Sequence, residues 1–278
     1  MAQLEVLRHG HVNHFTADYD ATLAFYRDVL GGTPFMEWEE KDFGARNALI
    51  SVGPLCIELF SPVTDGPIAS WVASRGAGWH SMEWTVPALP EAIEAVDEQG
   101  LRITDRTDSY VFTHPKDFGG LCLEITHHLF PDDPRGADGP LPGAGTGADL
   151  LGFVGGPEVH VATRDVDAAA ERMTALTGRA TRTRRHVDLH GIGRGVDFGD
   201  HLVEHIGVDE SGTGSVATRL ADHSEGIMAV VLPVADVEHV AGLLRKRGVD
   251  DAHLLSSDGV LWLLPDANQG ACIGFRAV

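Results

Sequence analysis

Residues 55–59 of this chain, Leu-Cys-Ile-Glu-Leu, return almost letter for letter at 121–125 as Leu-Cys-Leu-Glu-Ile. Weaker copies follow at 202–206 (Leu-Val-Glu-His-Ile) and 271–275 (Ala-Cys-Ile-Gly-Phe). A strand-like segment repeated in this way implies one structural unit used four times. Each unit alone has a sheet face and an edge that it cannot cover, so units must pair. The copies also differ in chemistry. The first three carry a carboxylate, Glu58, Glu124 and Glu204, and the fourth carries Gly274.

Helix-period segments recur with the strands, at 20–30, 90–99, 166–176 and 237–247, each closed by a glycine: Gly31, Gly100, Gly178 and Gly248. Short alternating β-branched segments follow each helix and end in the repeated strand. The unit is therefore βαβββ, and the fold class is α+β. Four such units should pair into two half-open β-cups with helices outside. Residues 131–150 are rich in Pro, Gly and Asp and read as a linker between domains at 1–130 and 151–278.

The formal net charge of −20 disfavours nucleic acid and anionic membranes as partners, since both attract a positive field. It weighs only mildly against a polyanionic small molecule, because a local basic patch can overrule the sum. Solubility or adaptation to salt is the favoured account of the acidity. The three cysteines, Cys56, Cys122 and Cys272, all fall in repeated strands and read as small buried hydrophobes in a reducing compartment. No apolar run approaches the roughly 18 residues that span a bilayer, and no signal-peptide pattern opens the chain, so a cytoplasmic protein is expected.

The string His-Val-Asn-His-Phe-Thr-Ala-Asp-Tyr-Asp-Ala-Thr-Leu-Ala-Phe-Tyr-Arg-Asp-Val-Leu-Gly, at 11–31, resembles the opening of the vicinal oxygen chelate superfamily. That group holds glyoxalase I, methylmalonyl-CoA epimerase, extradiol dioxygenases and bleomycin-resistance proteins. Residues 112–124, Phe-Thr-His-Pro-Lys-Asp-Phe-Gly-Gly-Leu-Cys-Leu-Glu, resemble the epimerase branch in particular. The second half shares only the βαβββ rhythm. The resemblance implies one divalent metal (Zn, Ni, Co, Fe or Mn) in a cup, held by residues of the first and last strands of paired units. Carried over by position, His11, Glu58 and Glu124 are ligands. The fourth ligand register falls on Ser81, with His80 one residue early. Three outcomes are open there: a local bulge turns His80 inward as a ligand, the ligand is lost, or His80 is a core residue.

Imidazole with carboxylates on inward strand positions suits a borderline or hard divalent ion with a place left for substrate. Edge carboxylates in solvent are the bland alternative, but a Glu flanked by Cys and Leu in an apolar strand favours a buried, partnered role. Glu83 shares the expected inward face, so either it or Glu58 is the candidate acid/base. Asn13 is a candidate for a substrate oxygen or plain cup lining, and His114 and Lys116 lie on a loop where they could meet an anionic substrate. His14 should face the helix as a structural residue.

In the second half Glu158, His160 and Glu204 share a face, and His186, Asp188 and His190 are expected to alternate on one strand. Ala229 and Gly274 stand where the last unit would need ligands, so this half reads as a degenerate structural partner, with a relocated second site as the alternative. Dioxygenases of the superfamily ordinarily keep iron in this half, so the loss of both positions argues against that chemistry. The reading is a metal-dependent isomerase, epimerase or lyase acting on a small carbonyl compound through a metal-stabilised enolate. An Fe(II)/Mn(II) dioxygenase and a metal-free drug-binding protein lined by Phe15, Trp38, Trp79 and Trp84 are the alternatives. A homodimer is permitted but not required, since each cup can close within one chain.

Overall fold

The computed structural model describes residues 2–136, 143–145 and 147–278, so residues 137–142 and 146 of the expected linker lie outside the described residues. The first repeat contains β1 (Arg8–Phe15), α1 (Tyr19–Ala24), β2 (Thr33–Glu40), β3 (Ala45–Val52) and β4 (Leu55–Pro62). After α2 (Pro67–Arg75) come β5 (Gly78–Thr85), α3 (Leu89–Glu98), β6 (Ile103–Arg106), β7 (Tyr110–Thr113) and β8 (Cys122–Thr126). The third repeat is β9 (Glu158–Ala162), α4 (Val166–Thr177), β10 (Thr181–His186), β11 (Gly191–Asp197) and β12 (Leu202–Val208). Past α5 (Gly214–Asp222) lie β13 (Gly226–Val234), α6 (Val237–Lys246), β14 (Leu254–Ser257), β15 (Val260–Leu263) and β16 (Ile273–Ala277).

The strands form two curled eight-stranded sheets, ordered β2-β3-β4-β1-β5-β8-β7-β6 and β10-β11-β12-β9-β13-β16-β15-β14. The α+β class and the pairing of βαβββ units thus stand as expected. In every repeat the first and last strands pair in parallel, a geometry that needs a long crossover, supplied by the helix and two intervening strands. Strand β4 is buried along nearly its whole length, which is why it reads as a near-continuous apolar run. Edge strand β2 is open to solvent and carries Glu37, Glu39 and Glu40, charges that discourage pairing with another sheet.

The four expected helices form. Asp18, Asp165 and Asp236 cap α1, α4 and α6 by accepting from the amides of Ala21, Ala168 and His239. Helix α1 runs on as a π-helical turn, Phe25–Val29, which carries the buried Tyr26. Helices α2 and α5 were not expected from the sequence. They are short, and their apolar residues (Ile68, Trp71 and Val72 in α2; Val216 and Leu220 in α5) make less than a full face.

Backbone contacts divide the chain into two compact units, and each draws on both sides of the linker. One comprises Met1–Gly10, Ser81–Leu129 and Glu158–Met228. Within it Trp84 Nε1 donates to His201 Nε2 at 2.9 Å, and His205 Nε2 meets the Phe118 carbonyl at 2.9 Å. The other comprises His11–His80, Phe130–Pro157 and Ala229–Val278. Within it Trp79 Nε1 donates to the Cys272 carbonyl at 3.0 Å, and Asn268 Nδ2 donates to the Tyr26 hydroxyl at 3.2 Å. His14 is fully buried there, its Nδ1 at 2.8 Å from Tyr26 Oη and its Nε2 at 3.0 Å from the Gln269 carbonyl. It faces the helix, as its place in the alternation predicts. Among the described residues no helix is long and apolar enough to cross a membrane.

At the fourth copy of the repeated strand, a Cβ on Gly274 would stand 2.8 Å from Val260 Cγ1 and 2.9 Å from both Trp262 Cζ3 and Val231 Cγ2. Apolar packing has taken the space that a ligand side chain would use. Ala229 is likewise buried, at 1% exposure.

Two outcomes follow from this packing. Gly274→Ala should destabilise the protein by about 1–3 kcal/mol in urea unfolding, the usual cost of overpacking; an unchanged midpoint would contradict the sealed position. Burial lowers the pKa of His14 to about 4, with only partial compensation from its bond to Gln269. An imidazole that resists protonation in the fold but titrates near 6.5 when unfolded makes the unfolded state bind more protons in that window. Stability present above pH 6.5 should therefore be lost as pH falls toward 4, by about 3 kcal/mol from this residue. Thermal melts across that range should show the slope flatten in His14→Gln; an equal slope in both proteins would refute it.

Candidate metal centre

Strands β1 and β4 pair in parallel with Asn13 opposite Glu58, so the pleat turns His11, Asn13 and Glu58 to one face. His11 Nε2 lies 2.9 Å from Glu58 Oε2, and Asn47 Nδ2 on β3 approaches Glu58 Oε1 at 3.4 Å. All four side chains are buried. On β8 Glu124 is buried too, opposite Glu83 of the parallel neighbour β5. Glu83 lies over Gly10, where any side chain would overlap its carboxylate, so that glycine makes the room.

One ligand atom each from His11, Glu58 and Glu124 lies within 4.8 Å of the other two. An imidazole nitrogen and two carboxylates form a donor set for a borderline or hard divalent cation. Burial strengthens the fit, because two carboxylates withdrawn from water demand opposing positive charge nearby.

His80 does not join this trio. Its ring stacks on Phe15, with centroids 4.3 Å apart and planes 9° apart, and Trp71 of α2 meets its edge at 5.6 Å. Burial, with a contribution from Arg75, lowers its pKa to about 4. Phe15 also belongs to a cluster with Ala45, Phe60 and Ile68, so His80 extends an aromatic floor. Of the three outcomes open for His80, its stacked position matches the core residue, and helix α2 brings Trp71 to that ring. The nearby Ser81 is fully buried and pairs with Cys122.

His114 and Lys116 have a more local task than expected. The His114 side chain caps the turn Pro115–Phe118 by accepting from the Lys116 amide at 3.1 Å through Nδ1, and the Lys116 side chain is exposed. Of the four aromatics proposed to line a drug-binding cup, Trp79 and Trp84 are spent on packing against His14 and His201. In the third repeat β10 ends at His186, so Asp188 and His190 lie in the following turn instead of on its face.

Comparison with known proteins bears on the family and the fold. The Glyoxalase/Bleomycin resistance protein/Dioxygenase superfamily model matches residues 8–139. The ethylmalonyl-CoA/methylmalonyl-CoA epimerase of Cereibacter sphaeroides is 30% identical over 129 residues, covering 42% of this chain and 96% of the relative. The mitochondrial methylmalonyl-CoA epimerase of Bos taurus is 26% identical over 128 residues, covering 42% and 73%. Among solved structures, a mutant 4-hydroxymandelate synthase from Streptomyces coelicolor matches with TM-score 0.74 and 14% identity, covering 100% of this chain and 93% of that one, a likeness of fold. The chain belongs to the glyoxalase/bleomycin resistance protein/dioxygenase superfamily, and its N-terminal repeats resemble the epimerase branch.

Proposed function

We propose that the protein is a metal-dependent isomerase or epimerase that moves a proton on the carbon next to a carbonyl of a small acyl substrate. The observation that carries this reading is the buried trio His11, Glu58 and Glu124. These residues would hold one divalent ion, which when bound supplies Lewis-acid polarisation of the carbonyl oxygen and so eases loss of the neighbouring proton.

Glu83 would take that proton, which comes back to the opposite face of the carbon in an epimerisation or to a neighbouring atom in an isomerisation. Glu58 belongs to the ligand trio, and Glu83 sits directly opposite Glu124 on the neighbouring strand. A positioned carboxylate base contributes about 10²–10⁴-fold to such a step. Asn13, opposite Glu58 on the same face, would orient a substrate oxygen. Burial of all these groups excludes water from the reacting carbon. The names of the relatives favour a 2-substituted acyl thioester as the substrate class. Ring cleavage with O₂ is less well supported, because packing at Gly274 and Ala229 has closed the positions that such enzymes use in the second half.

Proton exchange at the α-carbon of methylmalonyl-CoA in D₂O, followed by NMR, tests the assignment. Glu83→Gln should keep its metal and lose about 10²-fold or more of the exchange rate. A variant that exchanges at the parent rate would remove Glu83 from the mechanism. His80→Phe should retain the metal content of the parent, whereas Glu124→Gln should lose most of it. Loss of metal in His80→Phe would show that His80 leaves its stack to act as a ligand.

A further inference from the structure

The third repeat contains a second convergence of ligand atoms, outside the residues matched by the superfamily model. Glu158 and His160 lie two apart on β9, and Glu204 on β12 stands in register with His160. All three are buried, at 5%, 2% and 1% exposure, and one ligand atom from each lies within 4.8 Å of the others. His160 Nε2 is 3.4 Å from Glu158 Oε2 and 3.5 Å from Glu204 Oε2. Two ligands bound about 2.1 Å from one ion at a tetrahedral angle stand about 3.4 Å apart. These spacings are therefore those of a coordination polyhedron, and they are long for hydrogen bonds.

Two further features show a built site. His186 on β10 is 6% exposed, and its Nε2 is 3.3 Å from Glu204 Oε2 without hydrogen-bond alignment, so that nitrogen has no hydrogen-bond partner among the described residues. It points into the cluster. A side chain at Gly193 would overlap the Glu204 carboxylate, so this glycine leaves a cradle for it.

One more cation is present. Arg184, two residues before His186 on the same strand face, places Nη1 3.0 Å from Glu158 Oε2 and 3.4 Å from Glu204 Oε2. Its side chain is 38% exposed, so it enters from the solvent side. The guanidinium supplies positive charge to both buried carboxylates from the solvent side. Burial alone would raise the Glu204 carboxyl, yet the facing His186, His160 and Arg184 hold its pKa below the ordinary value.

We propose that Glu158, His160 and Glu204 bind a second divalent cation, and that Arg184 is its built-in competitor, occupying the carboxylates until the ion displaces it. His186 adds its Nε2 beside Glu204, 3.3 Å from Oε2. This site differs in construction from the first. It draws every ligand from one βαβββ repeat, whereas the first combines Glu58 of one repeat with Glu124 of the next.

Equilibrium titration of chelator-treated full-length protein with zinc or cobalt chloride tests the proposal, with thermal melts to check that each variant is folded. The parent should bind two ions per chain. Glu204→Gln should bind one, and Arg184→Met should bind two, the second at least tenfold more tightly. If Glu204→Gln fails to fold, the Co(II) absorption spectrum of a His11→Ala/Glu124→Ala protein, in which only the second cluster remains intact, gives the same readout. The proposal is overturned if Glu204→Gln binds as many ions as the parent, or if the His11→Ala/Glu124→Ala protein shows no cobalt bands. It is also overturned if Arg184→Met gains no affinity, which would make Arg184 the permanent counter-ion of a structural cage. One ion lost in Glu204→Gln but kept in Glu124→Gln would instead uphold this site and sink the N-terminal one.

Discussion

The parallel pairing of first and last strands within each repeat governs everything else in this chain. It sets Asn13 beside Glu58, Glu83 beside Glu124, and His160 beside Glu204, across sequence gaps that no local turn could close. Side chains alternate with a period of two, so a slip of one residue would send each carboxylate to the opposite face and leave it among apolar residues. Register and chemistry are thus the same constraint. The buried carboxylates then require positive partners, and the protein meets that need in two ways. The first half brings an imidazole to Glu58, and the second adds a guanidinium at Glu158 and Glu204.

One fold repeated four times therefore carries three chemical outcomes. Repeats one and two contribute to a single acidic centre. Repeat three gathers its own ligand set together with a resident cation. Repeat four has given up polar chemistry, and Val231, Val260 and Trp262 close around Gly274 as part of a packed core. Divergence of this kind costs little in the scaffold, since each change lies on an inward strand position and leaves the backbone pairing intact.

Much of this was legible in the sequence. The recurrence of Leu-Cys-Ile-Glu-Leu gave the repeat, the glycine-closed helical segments gave its crossover, and the family resemblance singled out His11, Glu58 and Glu124 as ligand positions. What escaped notice depended on contacts between residues far apart. Helix α2 is too short to announce itself, and without Trp71 the stacked position of His80 could not be foreseen. Arg184 reads in sequence as one of several basic residues on an edge strand, and only the fold places it against Glu158 and Glu204. The chain also groups into compact units that each combine segments from both sides of the linker, a pattern that composition and periodicity do not encode.

On the proposed function, His11, Glu58 and Glu124 share one divalent cation. An anomalous difference map from crystals grown with the metal recovered at purification, collected at that metal's absorption edge, tests it most directly. A shared ion should give a strong peak within coordination distance, about 2.0–2.2 Å, of His11 Nε2 and an oxygen of each glutamate. A map with no peak at this trio, from protein that retains its activity, would contradict it.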